Sequence, residues 1–157
     1  MIAWNKYTKE KVYLQKSSRY QPLILYTIML KTNRSLLKYI LFSIITLGIY
    51  AIVMLCKISN EVNQVASPRD GKHTMFFLFI LLLTPLTLGI CALVWYHRIS
   101  NRIGDELKAR EINCQFSASD YWLWNILGSL IVIGPFVYIY KLLDATNQLN
   151  KSYNEGK

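Results

Sequence analysis

The fold of this chain is decided by the stretch LGIYA at residues 47–51, which returns as LGICA at residues 88–92. Each glycine lies near the middle of an uncharged stretch. A basic residue follows nine positions later, Lys57 in the first copy and Arg98 in the second. Recurrence at about 40 residues is typical of tandem repeats. The sequence therefore predicts one structural unit that is built more than once.

A third copy of the unit is less regular. Its glycine precedes a proline, Gly134-Pro135. If Gly134 is the counterpart of the earlier glycines, the following lysine, Lys141, comes two positions early. A chain of 157 residues has room for about one domain. We therefore predict a single membrane domain over residues 29–157, with three repeats at about 34–66, 73–110 and 117–154.

The predicted membrane location comes from the distribution of apolar residues. Hydrophobic residues make up 53% of the chain, and they are grouped in three uncharged blocks instead of alternating with polar residues. About 20 apolar helical residues are needed to cross roughly 30 Å of hydrocarbon. The three blocks, close to this length, predict an all-α integral membrane protein. They are Tyr39–Cys56, Thr74–Tyr96 and Tyr121–Tyr140.

Two topologies fit these blocks. Each block either turns back at Gly48, Gly89 or Gly134-Pro135 as a re-entrant hairpin, or crosses the membrane as a kinked span. Proline favours a break because it suits the first turn of a new helix. A turn at mid-depth needs partners for its backbone groups, since hydrocarbon offers none. The side chains that could supply them are Ser43, Thr46, Thr84, Thr87, Asn125 and Ser129.

An amphipathic tail with helical period follows each apolar block. Each tail is expected either to lie in the membrane interface or to pack as the stalk of its own transmembrane helix. The residues that define the apolar faces are Ile58, Val62 and Val65, then Ile99, Ile103 and Leu107, then Leu142, Ala145 and Leu149.

The charges suggest which residues meet a partner. The net charge of +9 comes from 18 basic and 9 acidic residues, all outside the apolar blocks. Anionic lipid headgroups attract such residues by about 1 kcal/mol each. We predict that Lys57, Arg98, Arg102 and Lys141 contact lipid or a partner, or else snorkel and set the topology. Nucleic acid is not expected, because the basic residues are dispersed.

Catalytic chemistry is not predicted. The apolar blocks hold no Asp, Glu, His, Lys or Arg, whereas acid–base catalysis needs positioned titratable pairs. Outside the blocks, Glu61, Asp105 and Glu106 are interpreted as parts of solvated helix faces. The three cysteines show no metal-site or disulfide spacing. The sequence therefore predicts no catalytic residue, metal ligand or cofactor.

Two functions remain for such a chain. The first is a non-enzymatic membrane module, acting as a scaffold, an anchor or an accessory subunit of a membrane assembly. The alternative is a small transporter or channel subunit that works as an oligomer, with its site at the Gly/Pro breaks near Thr84 and Asn125. The expected partners are the lipid bilayer and either another membrane protein or further copies of this chain.

Residues 1–28 differ from the rest as a basic N-terminal extension. Met29 opens the repeat region and has the context of a natural translation start, which would place the extension upstream of the functional chain. The alternative is a genuine extension with a small interfacial helix.

Several motifs occur in the order of a known family. Residues 33–41, 44–50 and 95–104 resemble the bacterial membrane family catalogued as domain of unknown function 4234, and residues 116–130 with Gly134-Pro135-Phe136 are also similar to it. The resemblance covers about residues 29–154; the cysteine in the second copy replaces a tyrosine usual in the pattern. It implies a small multi-pass protein of the bacterial cytoplasmic membrane and carries over no catalytic residue.

Overall fold

The second half of each apolar block continues into a long helix, and together these helices organise the chain. The structure is a computed structural model that describes residues 29–156; the predicted extension over residues 1–28 lies outside them. The described residues are helical, without strands, which confirms the all-α prediction. The helices are α1 Leu36–Ile45, α2 Ile49–Asp70, α3 Phe77–Leu83, α4 Ile90–Ala109, α5 Ala118–Asp120 and α6 Gly134–Asn154.

Helix α5 is a single turn that runs on without a break. Ser117 caps it, since its hydroxyl accepts from the Ser119 N–H and the Asp120 carboxylate accepts from the Ser117 N–H. It is followed by a π-helical segment, Tyr121–Ile126, and a 3-10 segment, Leu127–Ile131, which lead to the third turn. Residues 118–131 thus take the place that α1 and α3 have in the first two units.

Each apolar block reverses direction at its centre. The rings of Tyr39 and Tyr50 lie 6.5 Å apart, centroid to centroid. A straight helix would separate these residues by about 16 Å. Corresponding ring pairs are Phe77 with Trp95 at 4.7 Å and Tyr121 with Tyr138 at 5.4 Å. The units are therefore helical hairpins, with the chain reversal that the first predicted arrangement contains. Their first limbs are α1, α3 and residues 118–131, and their second limbs are α2, α4 and α6.

The three second limbs run parallel to one another. Glu61 and Gln64 of α2 meet Asn150 and Tyr153 of α6 in the same order along both helices. The contacts of α2 with α4 also follow the same order along both helices: Asn63 contacts Arg102, and Arg69 contacts Glu106. The three turns consequently lie at one end of the molecule, the tip end, and the linkers lie at the other, the bundle end.

The hydrophobic core lies between the second limbs at the bundle end. The apolar faces predicted for the tails are buried there, at 2% exposure or less for all nine residues. Full burial of such a side chain contributes about 1.5–3 kcal/mol for the larger members. The tails are thus continuous with the second limbs, and they pack against each other as one common stalk.

The third copy is in better register than the sequence suggests. Gly48 and Gly89 precede their second limbs with φ of +91° and +88°, and in the third hairpin Val132 has the positive φ, at +64°. Lys141 follows Val132 by nine residues, as the basic residues of the first two copies follow their glycines. The register of the third copy therefore counts from Val132, whereas Gly134 is the first residue of α6.

Gly134 has a different structural role from Gly48 and Gly89. It begins α6 with Pro135 beside it, one residue after the turn. A Cβ at Gly134 would overlap the backbone of Gly128 and the carbonyl oxygen of Trp124. The glycine thus lets the two limbs of the third hairpin approach closely, which a larger residue would prevent.

The hairpins form a closed ring. Asn63 of α2 pairs with both backbone groups of Thr74, which leads into the second hairpin. Asn147 of α6 does the same with Arg34, which leads into the first. Counted from the turns, the equivalent position of α4 is Gly104, where a Cβ would overlap the Phe116 carbonyl. Each second limb therefore holds the segment that enters the next hairpin, and α6 holds the first.

The close contact between Gly104 and the Phe116 carbonyl predicts that Gly104→Ala destabilises the fold. The added methyl group must push the Phe116 backbone away from α4, and overpacking of this kind costs typically about 1–3 kcal/mol. We expect a lower thermal midpoint of the full chain in detergent, measured by circular dichroism. The control is Lys108→Ala on the exposed face of the same helix, expected within about 0.5 kcal/mol. Equal midpoints for Gly104→Ala and the control would contradict the close contact.

Candidate functional site

The tip end carries an unusually apolar exposed surface. Leu47 and Leu88, each next to a turn glycine, are 94% and 93% exposed, and Leu130 of the third hairpin is 85% exposed. Soluble monomers rarely expose contiguous apolar patches larger than a few hundred Å². We call the following exposed residues the apolar tips: Ile44, Ile45, Leu47, Ile49, Leu86, Leu88, Ile90, Leu130, Ile131, Val132 and Ile133.

A threonine relay satisfies the backbone at the first turn. The Thr46 hydroxyl donates to the carbonyl of Phe42 at 2.6 Å and accepts from the N–H of Tyr50 at 2.9 Å. Its oxygen thus joins a carbonyl at the end of one helix to an N–H at the start of the next. Both are groups that helix ends leave without intrahelical partners.

The second turn repeats this relay. The Thr87 hydroxyl donates to the Leu83 carbonyl at 3.0 Å and accepts from the Cys91 N–H at 3.2 Å. The turn glycines add a second bond, because the Gly48 N–H donates to the Ser43 carbonyl at 2.7 Å and that of Gly89 to Thr84 at 2.9 Å. The relay and the glycine conformation belong to one four-residue motif, Thr-Leu-Gly-Ile.

The third turn has no threonine relay, and a serine and a proline act there instead. The Ser129 hydroxyl donates to the Ile126 carbonyl at 2.6 Å, and Pro135 has no N–H that needs a partner. Three of the six predicted polar partners therefore act at the turns: Thr46, Thr87 and Ser129. The turns bind their own backbone groups, which answers the objection to a turn in an apolar medium.

The hairpins are short. Helix α1 has 10 residues and is therefore about 15 Å long, half of the roughly 30 Å hydrocarbon core of a bilayer. The uncharged parts of the second limbs, from the turn to Lys57, Arg98 or Lys141, are shorter still. Within residues 29–156, no individual helix has both the length and the apolar character needed to cross a membrane.

Three of the four predicted contact residues lie at equivalent positions on the second limbs. Lys57 and Arg98 are exposed, and neither forms an ion pair with another described residue. Lys141 pairs with Asp120 at 2.5 Å and lies 5.9 Å from the ring centroid of Trp124. We call these three residues the basic ring, because they surround the stalk at the level where the apolar segments end.

Aromatic side chains accompany the basic ring. Trp122 is exposed and donates its indole N–H to Nδ1 of His97 at 3.0 Å. Tyr140, directly before Lys141, is also exposed. Tryptophan and tyrosine are enriched where apolar and aqueous phases meet, because their rings are amphipathic. The boundary between tips and stalk therefore combines cations with aromatic rings.

Arg102, the fourth predicted contact residue, lies away from the ring. It is 7% exposed, and its guanidinium donates to both carboxylate oxygens of Asp70 at 2.7 and 3.0 Å. Further acceptors are Asn63 Oδ1, Thr74 Oγ1, Ser67 Oγ and the Lys72 carbonyl. Arg102 thus fixes the linker after α2 onto α4, and its donors are occupied by protein groups.

Buried charges at the bundle end were missed by the sequence reasoning. Glu106 is 1% exposed and pairs with Arg69 at 2.6 Å and with Arg110 at 2.9 Å. Glu61 pairs with the buried Arg34 and accepts from Asn150. The interpretation of Glu106 as solvated is therefore wrong, and Glu61 is partly buried. Both lie on helix faces that are covered by neighbouring hairpins. Their burial therefore could not be predicted from the local composition.

The described residues include no group of three or more His, Cys, Asp or Glu side chains that could hold a metal ion. The acidic residues at the bundle end instead have arginine partners, as set out above for Glu61, Asp70 and Glu106. This arrangement stabilises helix packing. The chemistry offered at the surface comes from the apolar tips and the basic ring.

The hydrogen bonds of Thr87 predict a substitution whose cost in stability depends on whether water or lipid surrounds the tips. Thr87→Val leaves the Cys91 N–H without its acceptor, which costs about 1–3 kcal/mol when no water can replace it. We expect this loss in the free energy of unfolding of the lipid-reconstituted protein. Thr84→Val is the matched control, since Thr84 donates only to Ile80 within its own helix turn. No difference between the two variants would place the turn in water.

The Arg102–Asp70 pair predicts a pH dependence. Hydrogen bonds from Arg102 hold the pKa of the Asp70 carboxyl below its ordinary value of 3.8. Because the folded pKa is the lower one, the contribution to stability is complete above about pH 4 and is lost as pH falls through the folded pKa. Asp70→Asn should cost about 3 kcal/mol at neutral pH, and this difference should shrink in acid.

Thermal unfolding of the Asp70→Asn variant between pH 2 and 7 measures this effect. Asp105→Asn serves as the control, because Asp105 is exposed and bonded to Asn101 of its own helix. A constant difference across the whole pH range would show that the carboxylate charge does not stabilise the linker.

One protein family matches the chain. Residues 34–105 match the family model described as Domain of unknown function (DUF4234), which confirms the resemblance carried by the motifs in that range. The matched residues cover the first two hairpins except the end of α4. The third hairpin lies beyond it, so the similarity of residues 116–130 stays a prediction. No curated protein and no solved structure matches the chain.

Proposed function

We propose that this chain, with its DUF4234 domain, is a non-enzymatic integral membrane module whose three hairpin tips enter one leaflet of the bilayer from the same side. The stalk and linkers then remain in the aqueous phase, where they serve as a scaffold, an anchor or an accessory subunit. The observation that carries the proposal is the combination of fully apolar tips with turns that bind their own backbone groups.

The depth of insertion follows from the limb lengths. First limbs of 10 and 7 residues reach about 15 and 10 Å, which matches one leaflet of a bilayer core of roughly 30 Å. Each fully exposed leucine at a turn gains about 1.5–3 kcal/mol on transfer into hydrocarbon. Several such residues per molecule favour stable insertion over a surface contact.

The basic ring supports the same placement. Lys57, Arg98 and Lys141 lie where the inserted segments end, at the level of the lipid headgroups. Each cation near an anionic surface contributes about 1 kcal/mol. Trp122 and Tyr140 lie at the same boundary, where their rings favour the interface. The three basic residues are accordingly proposed as headgroup contacts, while Arg102 stabilises the stalk.

The stalk is proposed to face the cytoplasm of a bacterial cell, at the inner membrane. The linkers and second-limb ends carry the basic residues, and basic segments favour the cytoplasmic side. Partner proteins or further copies of the chain would then meet the bundle end. The transporter or channel subunit has no specific observation in its favour beyond the broken helices, and it stays an alternative to be tested.

Cysteine labelling tests this topology. In a background without Cys56, Cys91 and Cys114, single cysteines replace Lys72, Gln115 and Lys151, which are exposed at the bundle end. We expect no reaction with a membrane-impermeant maleimide on spheroplasts and reaction of all three after permeabilisation, because the hairpins return every linker to one side.

A cysteine at Leu88 provides the internal control for this experiment. It should react only after detergent is added, since the tip lies in hydrocarbon. Labelling of Lys72→Cys and Lys151→Cys but not Gln115→Cys on spheroplasts would instead indicate three spans and overturn the hairpin insertion. Solute flux through liposomes that contain only this protein would favour the transporter alternative.

A further inference from the structure

We infer that the inserted tips bend the bilayer, so that the protein lies on the convex face and prefers strongly curved membranes. This inference rests on the proposed function and goes beyond it, because an anchor can hold to a flat membrane equally well. It follows from three properties of the described residues: the number of inserted limbs, the depth of the tips, and the rigidity of the hairpins.

The inserted part of the molecule is built from six limbs. Six limbs lie side by side at the tip end, since each of the three hairpins contributes two, and a helix with its side chains is about 10 Å wide. The first limbs accompany only the tip halves of the second limbs, as the Tyr39–Tyr50 and Phe77–Trp95 ring contacts show. Beyond them the core continues between the second limbs through Ala66, Leu107 and Leu149.

Insertion to the depth of one leaflet changes the two leaflets unequally. Limbs of about 10–15 Å displace lipid from the leaflet they enter and leave the opposite leaflet unaffected. The entered leaflet gains area, and the bilayer relieves the difference by curving with that leaflet outward. A membrane that is already curved this way has looser packing in the outer leaflet, so insertion there displaces less lipid, as for other curvature-sensitive amphipathic helices.

The hairpins are held too firmly to absorb this stress by splaying. Gly128 and Gly134 bring the third pair of limbs into backbone contact. The rings of Tyr96 and Tyr121 stack at 5.5 Å between the second and third hairpins, and Tyr138 shares a buried hydrogen bond of 2.9 Å with Ser100. A close-packed interface of this kind transmits strain instead of yielding to it. The bilayer is the softer partner and therefore deforms.

Vesicle flotation tests the inference with the full-length chain. Protein diluted out of detergent is mixed, at equal total lipid, with vesicles of phosphatidylcholine and a minority of phosphatidylglycerol, extruded to about 30 or about 400 nm. We expect about threefold more protein per lipid on the small vesicles. Large vesicles loaded with much protein should turn into tubules or small vesicles in negative-stain electron micrographs.

Two double variants identify the source of the preference. Lys57→Ala with Arg98→Ala removes ring cations and should lower binding to both sizes while keeping their ratio. Leu47→Asp with Leu88→Asp places carboxylates at the tips, at about 2.5–3.5 kcal/mol each in hydrocarbon, and should abolish binding to both. If the Lys57→Ala, Arg98→Ala variant binds small and large vesicles equally, the size preference is due to charge and the inference is overturned.

The remaining outcomes separate this inference from the proposed function. Equal binding to both vesicle sizes, with large vesicles unchanged in shape, would overturn the inference and leave the insertion of the tips intact. Absence of binding to either size would overturn both. A size preference retained by the Leu47→Asp, Leu88→Asp variant would show that the tips do not cause it.

Discussion

The structure depends on the satisfaction of backbone hydrogen bonds at three apolar turns. A helix that ends in hydrocarbon leaves carbonyl and N–H groups without partners, at several kcal/mol each. In the first two hairpins one threonine hydroxyl joins a carbonyl of the first limb to an N–H of the second. The turn glycine then brings its own N–H back onto the first limb. Without these bonds a chain reversal among exposed leucine and isoleucine side chains would be too costly to persist.

A second constraint operates at the bundle end, where the parallel second limbs bury charged groups. Taking a charge out of water is costly unless a partner compensates for it. Glu106 is therefore held between two arginines, and Arg102 is surrounded by acceptors from α2 and its linker. The contacts of Glu106 with Arg69 and of Arg102 with α2 join neighbouring hairpins, whereas the hydrogen bonds at the turns join limbs of the same hairpin. Register within each unit is thus set locally, and the order of units around the ring is set by polar contacts between them.

The division between local and tertiary contacts explains what the sequence could predict. The glycine repeats, the helical tails and the polar partners at the turns are local features, and the structure contains them. The burial of Arg102 and Glu106 depends on which helix packs opposite, so an amphipathic pattern alone assigned them to the surface. The register of the third turn shows the same division. Gly134 resembles a turn glycine in sequence, but its missing side chain is required by contact with Gly128.

The third hairpin shows how the two demands on glycine compete. A positive φ in a sparsely populated region costs a residue with a side chain about 1–3 kcal/mol, so a glycine would suit position 132 better than valine. The close approach of the limbs at Gly128 and Gly134 is a stronger steric demand, because any Cβ at Gly134 would overlap backbone atoms that cannot move aside separately. In the third hairpin the chain therefore accepts strain at an exposed turn and keeps its glycines where two backbones meet. In an apolar medium Val132 also gains what its side chain contributes on transfer, which partly offsets the strain. The exposed valine at this turn is thereby consistent with the proposed insertion of the tips into lipid.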